Sequence, residues 1–206
     1  MRHADICFNG KQINRVFTTL PMISMKHLRT ICLGAKDVGK TSLVRTMVDQ
    51  RWHEHLAPTV GVDYCRIMCE TVHFLAWDTA GDPKFRNVVN MFLRDCRVFL
   101  YIFDLTRKET LDDALLWHDK VLEMRLEHSS SHFLIGCKND LDHDNEEIMG
   151  RVNQFAELNY YTVSAKNLRS TKQLWKAIEK NTAHIQPRTA FHVESKQEQR
   201  ECCLCQ

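Results

Sequence analysis

The chain has 206 residues, 44% of them hydrophobic and 26% charged, which suits one globular α/β domain with modest tails. Its 28 Lys and Arg against 26 Asp and Glu leave a formal charge of +2, so overall charge favours neither nucleic acid nor an anionic membrane surface as a partner. The apolar runs are too short for a transmembrane helix, which needs roughly 20 residues. Polar residues interrupt the N-terminus where a secretory signal peptide needs an apolar core, so we expect no secretion.

The nine cysteines do not form a pattern that predicts disulfides or a metal site. Some lie in or beside apolar runs, others crowd into the last five residues, and no two C-x-x-C pairs are present as a zinc site would need. We therefore expect a reduced, cytosolic protein with a modified C-terminus. The two groups are Cys32, Cys96 and Cys137 in the apolar runs and Cys202, Cys203 and Cys205 at the end.

Short β-rich runs alternate with helical patterns from about residue 28 to 185. The predicted strands are Leu28–Leu33, Val62–Cys69, Val72–Trp77, Arg97–Phe103, His132–Cys137 and Tyr160–Val163. The predicted helices are Lys40–Val48, Leu111–Glu127, Glu146–Leu158 and Thr171–Ile185. This alternation predicts a six-stranded, mostly parallel sheet with helices on both faces. The second and third strands are too close for a helical crossover, so we expect them to form an antiparallel edge hairpin.

The predicted elements divide the chain into three segments. Residues 1–25 show no clear periodicity and are interpreted as an N-terminal extension. Residues 26–185 hold every predicted strand and helix and form the domain. Residues 186–206 are polar, have no core-forming pattern and are interpreted as a flexible tail.

A phosphate-binding loop follows the first strand. It satisfies G-x-x-x-x-G-K-[ST] and consists of Gly34, Ala35, Lys36, Asp37, Val38, Gly39, Lys40 and Thr41. Glycines let the backbone wrap around phosphates, and the following helix presents its positive N-terminus to the anion. We expect Lys40 to reach the β- and γ-phosphates and the Thr41 hydroxyl to bind Mg²⁺.

Two later loops indicate which base the nucleotide carries. Cys137, Lys138 and Asp140 follow the fifth strand, and a carboxylate there can accept two hydrogen bonds from guanine. Adenine offers no such pair of donors, so an unpaired carboxylate would reject it. After the sixth strand, Ser164, Ala165 and Lys166 fit a loop whose backbone N–H meets the guanine oxygen. Together, in this order, the loops predict guanine specificity.

At this point the chain resembles the Ras superfamily of small GTPases over about residues 28–180, and within it the Rab branch. The resemblance rests on the loops above, on Trp77-Asp78-Thr79-Ala80-Gly81, and on the Rab-like runs Thr59–Tyr64, Lys84–Arg86 and Phe103–Thr106 with Trp117. It implies a three-layer P-loop G domain. It also implies that Thr41, Thr59 and Asp78 hold Mg²⁺, that Gly81 senses the γ-phosphate, and that Trp52 stacks on the guanine.

Several residues depart from the family pattern. Asp82 stands where the family usually has a glutamine that orients the attacking water, so we expect slow intrinsic hydrolysis. Lys36 and Asp37 replace small phosphate-loop residues. The sequence leaves three roles open for Lys36. It could block an incoming arginine finger, pair with Asp37 or Asp82, or be a solvated side chain without a role. Cys137 replaces an asparagine, which predicts weaker guanine binding while Asp140 preserves base choice.

The C-terminus is a lipidation candidate. Cys203-Leu204-Cys205-Gln206 fits a C-a-a-X farnesylation pattern, while the pair Cys202 and Cys203 fits double geranylgeranylation as in Rabs. The tail from residue 186 carries equal numbers of basic and acidic residues. Without a polybasic signal, stable anchoring is expected to need two lipid chains.

These observations favour a GTP- and GDP-binding switch with Mg²⁺ that recruits effectors in vesicle trafficking. Its expected partners are effector proteins, an exchange factor, a GTPase-activating protein and the membrane through prenyl groups, but no nucleic acid. We expect a monomer at the cytoplasmic face of an intracellular membrane, with a cytosolic pool. The alternatives are a GTP-binding module that rarely hydrolyses, a pseudo-GTPase scaffold, and, more remotely, a P-loop kinase. Lys40, Thr59, Gly81 and Asp82 are the candidate catalytic residues.

Overall fold

A computed structural model of the protein describes residues 25–126 and 129–186. Within these ranges the strands are β1 (Lys26–Leu33), β2 (Val62–Met68), β3 (Val72–Thr79), β4 (Val98–Asp104), β5 (Ser131–Cys137) and β6 (Asn159–Val163). The α-helices are α1 (Lys40–Asp49), α2 (Arg86–Leu93), α3 (Glu109–Glu123), α4 (Asn145–Val152) and α5 (Leu168–Asn181). Short 3-10 helices precede α2 and follow α4, at Pro83–Phe85 and Asn153–Phe155.

The six strands form one sheet in the order β2-β3-β1-β4-β5-β6. β2 pairs with β3 in antiparallel register, and every other neighbouring pair is parallel. The predicted six-stranded sheet with one antiparallel edge hairpin is thus confirmed. Because β1, β3, β4, β5 and β6 point the same way, the loops that follow them gather at one edge, where α/β folds place their ligands.

The sheet separates two hydrophobic clusters, one on each face. One cluster combines alternate strand residues with α1 and α5, including Leu43, Phe74 and the fully buried Trp175. The other combines the remaining strand residues with α2, α3 and α4, including Phe99 and Leu111. β4 is buried along its whole length, as a central strand covered on both faces requires. This packing fixes the strand ends that carry the loops.

The predicted strands agree with the structure to within two residues at each end, and the predicted Lys40–Val48 agrees with α1 to within one residue, whereas the other helices need correction. The sequence analysis missed α2 altogether. α3 begins two residues earlier than predicted and ends at Glu123, and Arg125 beyond it has a left-handed φ of 44°. α4 ends at Val152, where a 3-10 turn replaces the predicted continuation.

The bounds of α5 also differ from the prediction. The helix begins earlier, at Leu168, because the Asn167 side chain caps it by accepting from the Ser170 N–H. It ends at Asn181, where the Thr182 hydroxyl donates back to the Ile178 carbonyl.

Some predictions fall outside the described residues: the extension before residue 25, the end of the second predicted helix at Glu127, and the tail with Cys202 and Cys203. No helix in the described part of the chain is long and apolar enough to cross a bilayer. Cys32 in β1, Cys137 at the end of β5 and Cys96 just before β4 are buried free thiols.

Candidate functional site

The loop between β1 and α1 is shaped by glycines. Gly34 has φ 146°, and a Cβ there would lie 2.0 Å from the Ile102 carbonyl oxygen of β4, so no side chain fits. Gly39 has φ 107° and precedes the first residue of α1. The loop therefore lies tightly on the sheet and leads directly into a helix N-terminus, the arrangement that binds anions. Val38 points into the core, so only its backbone is available to a ligand.

Lys40 is buried under this loop. Its ammonium donates to the carbonyl oxygens of Gly34, at 3.0 Å, and Ala35, at 2.6 Å. Burial lowers its pKa, and the nearby Asp78 carboxylate opposes that effect. The side chain also lines the cleft between the phosphate loop and residues 53–60. A cation so placed meets the phosphates of a nucleotide bound by the loop.

The three residues expected to hold Mg²⁺ lie together at the floor of the cleft. The Thr41 hydroxyl donates to Asp78 Oδ2 at 2.7 Å, and the Thr59 hydroxyl donates to the same oxygen at 3.1 Å. The two hydroxyl oxygens are 2.8 Å apart. Burial raises the pKa of Asp78, while the bonds from Thr41 and Thr59 act in the opposite direction.

This cluster fits a magnesium ion. Asp78 Oδ1 is buried and has no hydrogen-bond partner among the described residues, although its sister oxygen has two. Hydroxyl and carboxylate oxygens are the ligands that Mg²⁺ takes alongside phosphate oxygens. Thr41, Thr59 and Asp78 would hold the ion, which would neutralise charge on the phosphates.

Gly81 lies against the phosphate loop. A Cβ at this position would come within 2.3 Å of the Lys36 nitrogen and 2.4 Å of the Ala35 carbonyl carbon and oxygen. Only glycine allows this approach. The segment after β3 is therefore packed onto the loop that would hold the phosphates, and a displacement of either one must move the other.

Asp82 caps a 3-10 helix. Its Oδ1 accepts from the Lys84 N–H at 3.0 Å, and its Oδ2 lies 3.0 Å from the Lys84 ammonium. These bonds from Lys84 hold the pKa of Asp82 below its usual range. The carboxylate pairs with Lys84, a partner that the sequence analysis did not consider, rather than with Lys36. Asp-Pro at the start of a helix is a recognisable capping pattern that would have predicted this role.

Lys36 and Asp37 are exposed on the outer turn of the phosphate loop. Asp37 adopts a left-handed φ of 62°, a conformation that aspartate tolerates better than most side chains. Arg107, after β4, donates to the Lys36 carbonyl oxygen at 3.1 Å. Its Nε also bonds the buried Asp104 at 2.9 Å, so Arg107 ties the loop to the end of β4. Nothing in the sequence pattern marks this contact.

The residues expected to recognise guanine meet after β5 and β6. Asp140 lies 3.4 Å from the Lys166 ammonium, and a hydrogen bond from Ser164 lowers its pKa, so the group is a carboxylate at neutral pH. The Ala165 carbonyl accepts from Thr46 of α1 at 3.0 Å, which fixes this loop beside the phosphate loop. The ion pair with Lys166 therefore holds the Asp140 carboxylate at the sheet edge, where it can accept hydrogen bonds as guanine recognition requires.

Cys137 and Lys138 lie behind the phosphate loop. The Cys137 sulfur is buried and would be 3.7 Å from a Cβ on Gly39, and burial raises its pKa to about 12. Cys137 is therefore a neutral packing residue. The Lys138 ammonium bonds Asp104 Oδ2 at 2.7 Å and lines the cleft. Lys138 and Arg107 thus share one buried carboxylate.

The cleft has a volume of about 470 Å³ and a mixed polar and apolar lining. Trp52 is half-buried and does not line this cleft, and neither do Asp140, Ser164, Ala165 and Lys166, so the stacking of Trp52 on the guanine stays a prediction. His53, which pairs with Asp49 at 2.7 Å, and Phe85 do line the cleft, and the sequence analysis assigned neither to the site. His53 directly follows Trp52 and Phe85 lies three residues after Asp82, but neither residue belongs to the phosphate, magnesium or base motifs, so those motifs did not assign them.

Comparisons with known proteins agree with this geometry. Residues 29–184 match the model of the Ras family. The chain is 30% identical to the Ras-related protein Rab-7B of Dictyostelium discoideum over 194 residues, which cover 86% of this chain and 98% of that protein. It is 30% identical to human Ras-related protein Rab-12 over 134 residues, 63% of this chain and 54% of that protein.

A third relative, the mouse Ras-related protein Rab-31, is 26% identical over 199 residues, 88% of this chain and 100% of its own length. The family model covers most of the chain, and two of these relatives match 86% and 88% of it. The chain therefore belongs to the Ras family and is a Rab-like small GTPase.

Proposed function

We propose that this chain is a guanine-nucleotide switch that binds GTP and GDP with Mg²⁺, hydrolyses GTP slowly by itself and recruits effectors in membrane trafficking. Support for nucleotide binding comes from the Thr41, Thr59 and Asp78 cluster, where one carboxylate oxygen lacks a protein partner. The base loops and the buried Lys40 complete a phosphate and guanine site on one sheet edge.

The observation that carries the slow rate is the pairing of Asp82 with Lys84. An ionised carboxylate only accepts hydrogen bonds, whereas orienting water in the family's manner uses a side-chain amide that both donates and accepts. Both oxygens of Asp82 are already engaged, one by the Lys84 N–H and one by its ammonium. The residue therefore acts as a helix cap and brings no water-orienting group to the γ-phosphate.

Effector recruitment is supported by the surface beside the cleft. Tyr64 of β2 packs against Trp77 of β3 with the two rings tilted, and Trp77 in turn contacts Phe92 of α2. Tyr64 is 45% exposed and Met91 of α2 is 78% exposed. An aromatic row next to the segments that contact the phosphates can be read by a protein partner when those segments move.

Membrane attachment is proposed through lipid chains on Cys202 and Cys203, with residues 1–25 as an extension and 186–206 as the tail. A neutral tail gives little electrostatic help, so two chains are needed for stable attachment. The proposed location is the cytoplasmic face of an intracellular membrane, with a cytosolic pool and a monomeric protein. An exchange factor and a GTPase-activating protein complete the proposed partners.

The test is single-turnover GTP hydrolysis by the purified full chain, with the bound nucleotide identified first. Asp82→Gln supplies an amide and is expected to raise the rate by about tenfold or more, which corresponds to roughly 1.4 kcal/mol in the barrier. Asp82→Asn is the matched control. It retains the acceptor for the Lys84 N–H but is too short to reach the water, so its rate should stay near the parent's.

Equal rates for the parent and Asp82→Gln would refute the role assigned to this position. A purified chain that binds neither GDP nor GTP with Mg²⁺ would refute the switch itself and favour a scaffold. Binding with undetectable hydrolysis in every variant would favour a GTP-binding module instead.

A further inference from the structure

The exposed face of α5 carries a row of basic side chains. Arg169, Lys172, Lys176 and Lys180 recur every three or four residues, so they share one side of the helix, and all four are exposed. Leu174, Trp175 and Ile178 are buried on the opposite side. At 1.5 Å per residue the row is roughly 16 Å long. We call these four residues the α5 basic face.

Little negative charge offsets this face. In the described ranges Arg169, Lys172 and Lys180 form no ion pair, and Lys176 meets only Glu70, at 3.9 Å with both side chains largely exposed. Glu179 is the one acidic residue of α5, and its Oε1 is occupied by Thr71 and by the Val72 N–H of the β2–β3 hairpin. The positive charge is therefore directed outward.

The face continues to the place where the chain leaves the domain. Lys26, the first residue of β1, donates to the carbonyl oxygens of Thr182 at 2.7 Å and Ala183 at 3.1 Å, just after α5. This adds another cation at the end of the row. The chain then runs from Gln186 toward Cys202 and Cys203, where the proposed lipid chains would hold it at a membrane.

We infer that the α5 basic face docks on anionic phospholipid headgroups and orients the domain on the membrane. The inference rests on the proposed membrane attachment. The tail alone cannot set the orientation, because its sixteen or so residues before Cys202 can extend by roughly 55 Å and have no net charge. A rigid basic face beside the tail supplies the charge complementarity that the tail lacks.

Docking in this way leaves the effector side free. α5 and α1 cover one face of the sheet, whereas α2 and α3 cover the other. With α5 against headgroups, α2 and its exposed Met91 point away from the lipid surface. The same contact thus attaches the domain and presents its switch surface to the cytosol.

The test is co-sedimentation of the full, unlipidated chain with vesicles of phosphatidylcholine, or of phosphatidylcholine and phosphatidylserine at about 2:1. We expect binding only to the anionic vesicles, weakening as salt is added. Since each basic residue near such a surface strengthens binding by about fivefold, Lys172→Gln with Lys176→Gln should reduce partitioning by roughly thirtyfold.

The matched control is Lys108→Gln with Lys120→Gln, which removes the same charge from α3 and its start. It should retain most of the binding. Equal loss in both double variants, or no binding to anionic vesicles, would overturn the proposal, as would tighter binding to a single-stranded RNA oligonucleotide at the same salt. GDP binding, measured on each preparation, separates these outcomes from a failure of the proposed switch.

Discussion

Gly81 is the residue where the segment after β3 comes nearest to the phosphate loop. Gly81→Ala places a methyl group 2.3 Å from the Lys36 nitrogen, so one of the two segments must move. We expect a loss of about 1–3 kcal/mol in the free energy of unfolding, measured by urea denaturation.

The control for Gly81→Ala is Gly150→Ala in α4. A Cβ at Gly150 meets nothing within 4 Å, and alanine suits a helix interior better than glycine. This variant should be more stable than the parent by about 0.4–1 kcal/mol. Equal effects at the two positions would contradict the close packing of Gly81.

Asp104 is a buried carboxylate that gives stability a dependence on pH. Burial by itself would raise its pKa, but bonds from Lys138, Thr106 and Arg107 outweigh burial and hold the pKa below its ordinary value. Because the folded pKa is the lower one, the stabilisation is complete above the unfolded value of about 3.9 and is lost as pH falls through the folded pKa.

Urea midpoints should therefore fall more steeply between about pH 5 and pH 2 for the parent than for Asp104→Asn, because the variant lacks this titration. Asp104→Asn should be the less stable protein at neutral pH, and the gap should narrow in acid. Asp142→Asn, at an exposed loop position, serves as the control and should follow the parent. Parallel curves for the parent and Asp104→Asn would contradict this account.

At the scale of elements, the connection from β4 to α3 supports the phosphate loop. Arg107 bonds both Asp104 and the Lys36 carbonyl oxygen, so Arg107→Ala frees the loop on one side. A hydrogen bond from a charged donor contributes about 1.5 kcal/mol. We therefore expect GDP to dissociate roughly tenfold faster from Arg107→Ala than from the parent. The dissociation rate is measured with a fluorescent GDP analogue.

Lys108→Ala is the neighbouring control, since Lys108 pairs with Glu147 of α4 rather than with the loop. It should leave the dissociation rate within about twofold of the parent, as expected for an exposed ion pair. A similar acceleration in both variants would mean that the connection acts only through general stability.

The strands were predictable because their apolar runs are short and clearly bounded, but α2 was not. Its sequence combines two valines and two asparagines, which are weak helix formers, and only Val89 and Leu93 are buried. Val88 and Met91 are exposed, so the apolar residues do not mark a single face. The buried residues of α2 belong to the same hydrophobic cluster as residues of β1, β4 and α3. These contacts between distant parts of the chain stabilise the helix, and a local sequence pattern cannot predict them.

The candidate site likewise has parts that the sequence predicted and parts that it did not. The phosphate loop, Thr59, Asp78 and the base loops follow from motifs whose spacing sets their geometry. The ties from Arg107 to Lys36 and from Lys138 to Asp104 join distant parts of the chain, so their pairing depends on strand order. The Lys84 partner of Asp82 is local, and its capping pattern was available in the sequence.

For the whole molecule, nucleotide binding should be visible as stability. A ligand that binds only the folded chain, at a free concentration about 100 times its Kd, adds about 2.7 kcal/mol. We expect thermal unfolding to shift upward by several degrees with GDP and Mg²⁺, and removal of Mg²⁺ with a chelator to reverse most of the gain. ATP with Mg²⁺ is the control and should give no shift. For chain first freed of bound nucleotide, an unchanged midpoint with GDP and Mg²⁺ would exclude a guanine-nucleotide site.

The hydrogen bonds from Lys26 to the two carbonyl groups just after α5 also connect the start of the tail mechanically to β1. A pull on the chain beyond Gln186 first loads the buried Ile185, whose N–H donates to the Thr182 carbonyl, and the Lys26 ammonium then passes part of it into β1. β1 leads without interruption to Gly34. If the proposed lipid chains anchor the tail, tension on it would reach Gly34 along a single strand, so the phosphate loop is the part of the proposed nucleotide site that such a load would deform first.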